Sequence, residues 1–257
     1  MENKNWIKSQ LKKGNTINAL WSQSGSPTIV EAAVYAGWTV ILIDNEHGYT
    51  DLETTMHMIR AIEGAGGHVI VRVPWNDQVY LKRILDIGVQ SLMIPMINDK
   101  KSAENGVAAC RYPPYGNRGY AAPLVRASRY GAVQDYAKDA ANELLLIAQI
   151  EHIDAVTNIA DIGATDGIDV LFIGPMDLAG SMNHFEDLGA PEVQETVKDI
   201  ENRIRSSGKI MGCFPLPKSS VAELEGNGHQ LIAAQSDVIL FVRAAAQAAE
   251  VWGKNPL

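Results

Sequence analysis

Short runs of consecutive apolar residues recur along the chain, each followed by a longer stretch in which apolar positions return with helical spacing. The runs lie at Thr16–Trp21, Thr39–Asp44, His68–Pro74, Ser91–Met96, Leu144–Glu151, Asp169–Gly174, Ile210–Phe214 and Gln230–Ala234. Continuous apolarity is what a strand covered on both faces requires. Amphipathic helices are expected between them over Thr28–Ala36, Asp51–Glu63, Val79–Ile87, Lys101–Cys110, Ile153–Ile162, Glu192–Ser207 and Ser236–Val251. Eight strand–helix units in 257 residues predict a (β/α)8 TIM barrel. The alternative is an open doubly wound sheet. Its dinucleotide-binding form needs a glycine-rich turn after the first strand. Here the glycine cluster Gly64-Ala65-Gly66-Gly67 follows a helix and precedes a strand.

No linker or low-complexity tract interrupts the alternation, so residues 1–257 are expected to form one domain. The irregular stretch from Arg111 to Gly131 is the exception, and loops of that length commonly serve as lids or subunit contacts. A net charge of −8 argues against nucleic acid or an anionic membrane as partner. Cys110 and Cys213 are too few for a disulfide framework. The N-terminus lacks the apolar core of a signal peptide, and a cytoplasmic location is expected.

In a barrel, chemistry gathers where the strands end at their C-terminal side. Those positions carry Trp21, Asp44 with Glu46 and His47, Arg72, Gln149 with Glu151, and Gly174 through Asp177. Charge is costly to bury, so its concentration at strand ends marks a chemical site. Glu151 and Asp177 follow consecutive strands and suit a hard divalent cation, or else cap the next helices. Arg72 is either half of a buried ion pair with Asp44 or Asp86, or a fork for a carboxylate or enolate oxygen. His47 beside Asp44 has the makings of a general base. His57, His68, His152, His184 and His229 read as structural, the last two in polar stretches. An imine-forming aldolase of this fold needs a lysine at a strand's C-terminal end. Lys82, Lys209 and Lys218 fall elsewhere.

The segments Ile43-Asp44-Asn45-Glu46-His47-Gly48, Arg72-Val73-Pro74, Arg111–Gly119, Gln149-Ile150-Glu151 and Phe172–Leu178 resemble, in order and spacing, those of the HpcH/HpaI class II aldolases, from about Leu20 to Val251. The resemblance implies a metal-dependent aldolase that splits a 4-hydroxy-2-oxo acid into pyruvate and an aldehyde. It also implies a homohexamer, a trimer of dimers with exchanged C-terminal helices. Glu151 and Asp177 would hold Mg2+ or Mn2+, with Co2+ or Zn2+ as alternatives. Gln149, Met176, Asp177 and Trp21 would line the substrate pocket. Arg72 would stabilise the enolate, and His47, tuned by Asp44 and Asp86, would move the proton. Glu46 either orders water at the metal or positions its loop. An oxaloacetate decarboxylase using the same enolate, or a non-catalytic pyruvate-binding barrel, are the alternatives. Asn45 and Gly48 depart from the family's frequent glycine and alanine. Asn183 stands at a glycine position where its tolerance of left-handed angles would serve.

Overall fold

In the computed structural model, which describes residues 4–216 and 219–253, eight parallel strands close into a barrel in sequence order. Lys218 lies outside the described residues. The strands are β1 (Ile17–Ser22), β2 (Val40–Asp44), β3 (His68–Arg72), β4 (Ser91–Ile94), β5 (Leu145–Ile150), β6 (Val170–Ile173), β7 (Ile210–Cys213) and β8 (His229–Ser236). Every expected strand is present, most trimmed by a residue or two. β8 runs two residues further, to Ser236.

The helices are α1 (Trp6–Lys12), α2 (Pro27–Tyr35), α3 (Leu52–Gly64), α4 (Gln78–Asp86), α5 (Lys100–Cys110), α6 (Tyr136–Glu143), α7 (Ile153–Ala164), α8 (Pro175–Ser181), α9 (Pro191–Ser207), α10 (Val221–Gly226) and α11 (Asp237–Trp252). Side-chain caps start many of them: Ser26, Asp51, Asp77, Asp99 and Ser220 each accept from a backbone N–H in the first turn. The short helices α1, α6, α8 and α10 carry too few turns for a periodic signal and were not expected from the sequence.

The core is layered as a barrel requires. Ile17, Ala19, Leu42, Ile70, Met93, Ile147, Val170 and Phe172 fill the interior, together with Ile7 and Leu11 of α1. Helix α1 closes the N-terminal mouth. Asn5 donates to Ser91 Oγ and the Gln90 carbonyl, Trp6 stacks on His68 at 4.2 Å, and Lys8 reaches the Leu144 carbonyl. A second, larger cluster joins the outer faces of the strands to α2–α5, α7 and α9. His229, though in a polar stretch of the sequence, opens β8 buried, with Nε2 2.9 Å from Glu201 Oε1.

Two features lie apart from this core. The 111–135 segment attaches to the C-terminal end of α4: Arg118 donates to Asp86 at 2.7 Å, and Arg126 to the Ile87 carbonyl at 2.9 Å. A barrel helix runs antiparallel to its strand, so this end of α4 lies at the N-terminal mouth. Helix α11 rises from the opposite, C-terminal mouth and packs little within the chain. Only Asp237 of α11 is buried, while Phe241 is 72% and Trp252 87% exposed.

Candidate active site

A cavity of about 330 Å³ opens at the C-terminal mouth, lined by residues from most of the strand ends. Trp21, His47, Arg72, Gln149, Glu151, Met176 and Asp177 all face it. The barrel thus gathers seven of the nine residues singled out from the sequence.

Asp44 organises one wall. It is fully buried at the end of β2, and Arg72, its pairing partner on β3, grips it with both prongs. Arg72 Nε donates to Oδ1 at 2.8 Å and Nη2 to Oδ2 at 2.6 Å. Trp21 Nε1 donates to Oδ2 at 3.0 Å, and the backbone N–H groups of Glu46 and His47 to Oδ1 at 3.0 and 3.2 Å. Burial alone would raise the Asp44 carboxyl. The bonds and charge of Arg72, with those of Trp21 and Glu46, outweigh it and hold the group below the ordinary carboxylate range. The Arg72 guanidinium also stacks over the Trp21 ring at 4.6 Å.

Of the two expected accounts of Arg72, the buried ion pair with Asp44 is present. Of the five N–H groups of a guanidinium, two hold Asp44. Nη1 lies 2.7 Å from Glu46 Oε2, a close ion pair whose angle falls short of a hydrogen bond. Arg72 also lines the cavity. Glu46 is thereby placed: it turns to Arg72, and burial, then its fellow carboxylates Asp44 and Asp177, raise its pKa against the pull of Arg72 and His47.

Two expectations about His47 need correction. The Asp44 carboxylate bonds the His47 backbone, and its lone pairs are taken by Arg72 and Trp21. Asp86 lies away from the cavity altogether, ending α4 at the other mouth, where it pairs with Arg118. Within this chain neither carboxylate holds the imidazole, which is exposed at the cavity rim.

The loop carrying Glu46 and His47 is fixed by the residues that depart from the family pattern. Asn45 is buried and donates to Thr55 Oγ1 at 3.0 Å and to the Tyr80 hydroxyl at 2.7 Å, while Thr50 donates back to its carbonyl oxygen. That ties the loop to α3 and α4. A Cβ at Gly48 would stand 2.1 Å from the Asp44 carbonyl oxygen, so alanine does not fit this loop conformation. Asn183 has φ 65°, as its position requires.

Glu151 forms the opposite wall, only 2% exposed. Its Oε1 accepts from the Met96 N–H at 2.8 Å, delivered by a left-handed backbone at Met96 (φ 53°), and Oε2 accepts from Gln149 Nε2 at 2.8 Å. A Cβ at residue 174 would lie 2.5 Å from Glu151 Oε2, so Gly174 lets the backbone of the β6–α8 turn close on the carboxylate. Burial pushes the Glu151 carboxyl up to about 8; the Met96 bond opposes this, and the Asp177 and Glu46 charges add to it.

Among the described residues, no group of three or more His, Cys, Asp or Glu is arranged to enclose a metal ion. The donor set nonetheless suits a hard divalent cation. Glu151, Asp177 and Glu46 are oxygen donors, and the charges of Asp177 and Glu46 help to raise the Glu151 carboxyl. The buried Gln149 Oε1 has no partner and borders the same cavity.

Sequence reasoning missed Gln23, Ser236, Phe172, Phe214 and Ile239, which complete the lining. The expected run of β8 ends at Ala234, two residues short of Ser236. Gln23 lies just past the expected end of β1.

The model of the HpcH/HpaI aldolase/citrate lyase family matches residues 18–244. A hydroxypyruvate/pyruvate aldolase of Roseovarius nubinhibens is 34% identical over 248 residues, 96% of each chain. A 2-keto-3-deoxy-L-rhamnonate aldolase of Escherichia coli O1:K1 is 33% identical over 98% of this chain and 95% of that one. The crystal structure of an HpcH/HpaI aldolase/citrate lyase family protein from Burkholderia cenocepacia superposes with a TM-score of 0.91 at 32% identity, covering 96% of this chain and 98% of that chain. The chain belongs to the HpcH/HpaI aldolase/citrate lyase family and is a carbon–carbon lyase.

Proposed function

We propose that the chain, as one barrel domain, is a divalent-metal-dependent aldolase that cleaves a 4-hydroxy-2-oxo acid to pyruvate and an aldehyde. The observation that carries this reading is the meeting of Glu151, Asp177 and Arg72 in one cavity. Glu151 and Asp177 would hold the cation, Mg2+ or Mn2+, which when bound supplies Lewis-acid polarisation of the 2-oxo group.

The remaining work falls to the chain's own groups. Gln149 and the backbone of Met176 and Asp177 orient the oxo-acid end. His47, unencumbered at the rim, takes the proton of the 4-hydroxyl. As that oxygen becomes the aldehyde carbonyl, the C3–C4 bond breaks and its electron pair forms the C2–C3 double bond of pyruvate enolate. The N–H groups of Arg72 not used by Asp44 face the negative charge that develops on the 2-oxo oxygen. Protonation at C3 then yields pyruvate. Asp44 acts on Arg72 rather than on the imidazole: its two-point grip spares the guanidinium any reorganisation as charge develops.

Exchange of the pyruvate methyl protons in D2O, followed by NMR with Mn2+ or Mg2+ and again after chelation, tests the reading. Metal-dependent exchange is expected; its absence with either cation overturns it. Helix α11 supports a homo-oligomer in which C-terminal helices are exchanged, because Ile239, Leu240, Phe241, Val242, Val251 and Trp252 find little cover in one chain.

A further inference from the structure

We propose that Gln23 is the specificity-determining residue of the cavity, recognising a hydroxyl on the carbon next to the carbonyl of the aldehyde partner; this rests on the aldolase reading above. In an eight-stranded ring the end of β1 lies across from the end of β5. Gln23 follows β1 and stands on the far side of the cavity from Glu151 and Asp177, with Ser236 beside it at the end of the adjoining β8. A substrate whose oxo-acid end sits at Glu151 and Asp177 extends its aldehyde end toward them.

The backbone of Gln23 is held at both of its polar groups. Its N–H donates to Asp237 Oδ1 at 3.0 Å, and its carbonyl accepts from the Tyr49 N–H at 3.2 Å. Asp237, only 7% exposed, also accepts from the hydroxyls of Ser22 and Ser24 at 2.8 and 2.6 Å, which fixes the β1–α2 turn to the root of α11.

The side-chain amide is engaged quite differently. Ser236 Oγ donates to its Oε1 at 3.3 Å, and its Nε2 donates to Asp44 Oδ2 at 3.4 Å. Both lengths are at the long limit for a hydrogen bond. That Asp44 oxygen already has Arg72 at 2.6 Å and Trp21 at 3.0 Å. A base clamped by Asp237 and a tip held weakly make a group positioned to exchange its contacts for a ligand's. An amide both donates and accepts, which matches a hydroxyl. The neighbouring lining side chains Trp21, Phe214 and Ile239 offer apolar surface to the rest of the aldehyde.

The test compares pyruvate additions to lactaldehyde and to propanal, which differ by that one hydroxyl, using the wild-type protein with Mn2+. A ratio of kcat/KM of about tenfold in favour of lactaldehyde is expected, the size of one net hydrogen bond to a partly exposed group. Gln23→Leu should bring the ratio to about one, mainly through loss on lactaldehyde. Gln23→Met, which keeps the length and flexibility of the side chain, gives the same readout should the leucine variant not fold. A wild-type ratio near one, or an unchanged ratio in either variant, overturns the assignment. Pyruvate methyl exchange in the wild type separates the two levels: exchange with a flat ratio sinks the role of Gln23 alone, and no exchange sinks the aldolase reading beneath it.

Discussion

Replacing Glu151 by glutamine should stabilise the metal-free protein, and increasingly so as pH rises. Burial holds the folded carboxyl near 8, against 4.5 for the ordinary group. Between those values the folded state keeps a proton that the unfolded state has released. The folded state then binds more protons, so stability falls as pH rises through that window and levels off above it. At about 1.4 kcal/mol per pH unit, the interval from 4.5 to about 8 caps the loss at about 5 kcal/mol. A realised loss of about 2–4 kcal/mol allows for the relaxation and water entry that soften buried charge. Glutamine cannot ionise, and it keeps the geometry. Its carbonyl accepts from Met96, and its amide can meet the unpartnered Gln149 Oε1 once that side chain flips. Urea titrations in chelator at pH 5 and pH 8.5 measure the difference. Wild type should lose about 2–4 kcal/mol between the two while Glu151→Gln loses clearly less, and added Mn2+ should restore wild type only. Parallel pH slopes for the two proteins would refute the claim that the Glu151 carboxyl is the strained group.

Two further outcomes follow from the same geometry. Arg72→Lys keeps the charge but cannot hold Asp44 at two points while facing substrate, so kcat should fall about 10²–10³-fold with a smaller change in KM, read by steady-state kinetics of pyruvate release; a loss confined to KM would contradict it. Phe241→Asp together with Trp252→Asp should shift the protein to smaller assemblies by light scattering, because both side chains lie on the uncovered surface of α11; an unchanged mass would show that α11 is not an assembly element.

The barrel was legible in the sequence because strands buried on both faces are apolar without interruption. β5, buried at every position over Leu145–Ile150, lies within the expected run Leu144–Glu151. β8 was harder: its last residues, Gln235 and Ser236, are polar because they end at the cavity mouth. The end of that strand therefore looked like the start of a helix, and Ser236 went unnoticed. Asp86 failed for a topological reason. Its place in the sequence soon after Arg72 suggests proximity, but a helix antiparallel to its strand carries its last residue to the other mouth. The same geometry removes the Arg111–Gly131 stretch from the role of lid over its own cavity. Asn45 could not be read at all, since its partners Thr55 and Tyr80 come from two different helices.

The cavity concentrates four carboxylates, Asp44, Glu46, Glu151 and Asp177, around one arginine. Full ionisation of that set would leave a large uncompensated charge at low dielectric. The chain resolves it by treating the carboxylates unequally. Asp44 takes the two best donors of Arg72 and stays ionised, which makes the pair a fixed, nearly neutral support. Glu46 receives the leftover reach of Arg72. Glu151 receives only an amide and a backbone N–H, too little to hold an anion in so buried a place, and so retains its proton to a high pH. That inequality divides the site by function. The β2–β3 wall is rigid with its charge already balanced, suited to holding a guanidinium still while charge develops beside it. The β5–β6 wall is short of positive charge, which the divalent cation of the proposed reaction would supply. The motif Asp44-Asn45-Glu46-His47 thus belongs to the balanced wall, where Asp44 holds Arg72 and Asn45 fixes the loop, while His47 stands exposed at the rim, where the proposed reaction would use it to move a proton.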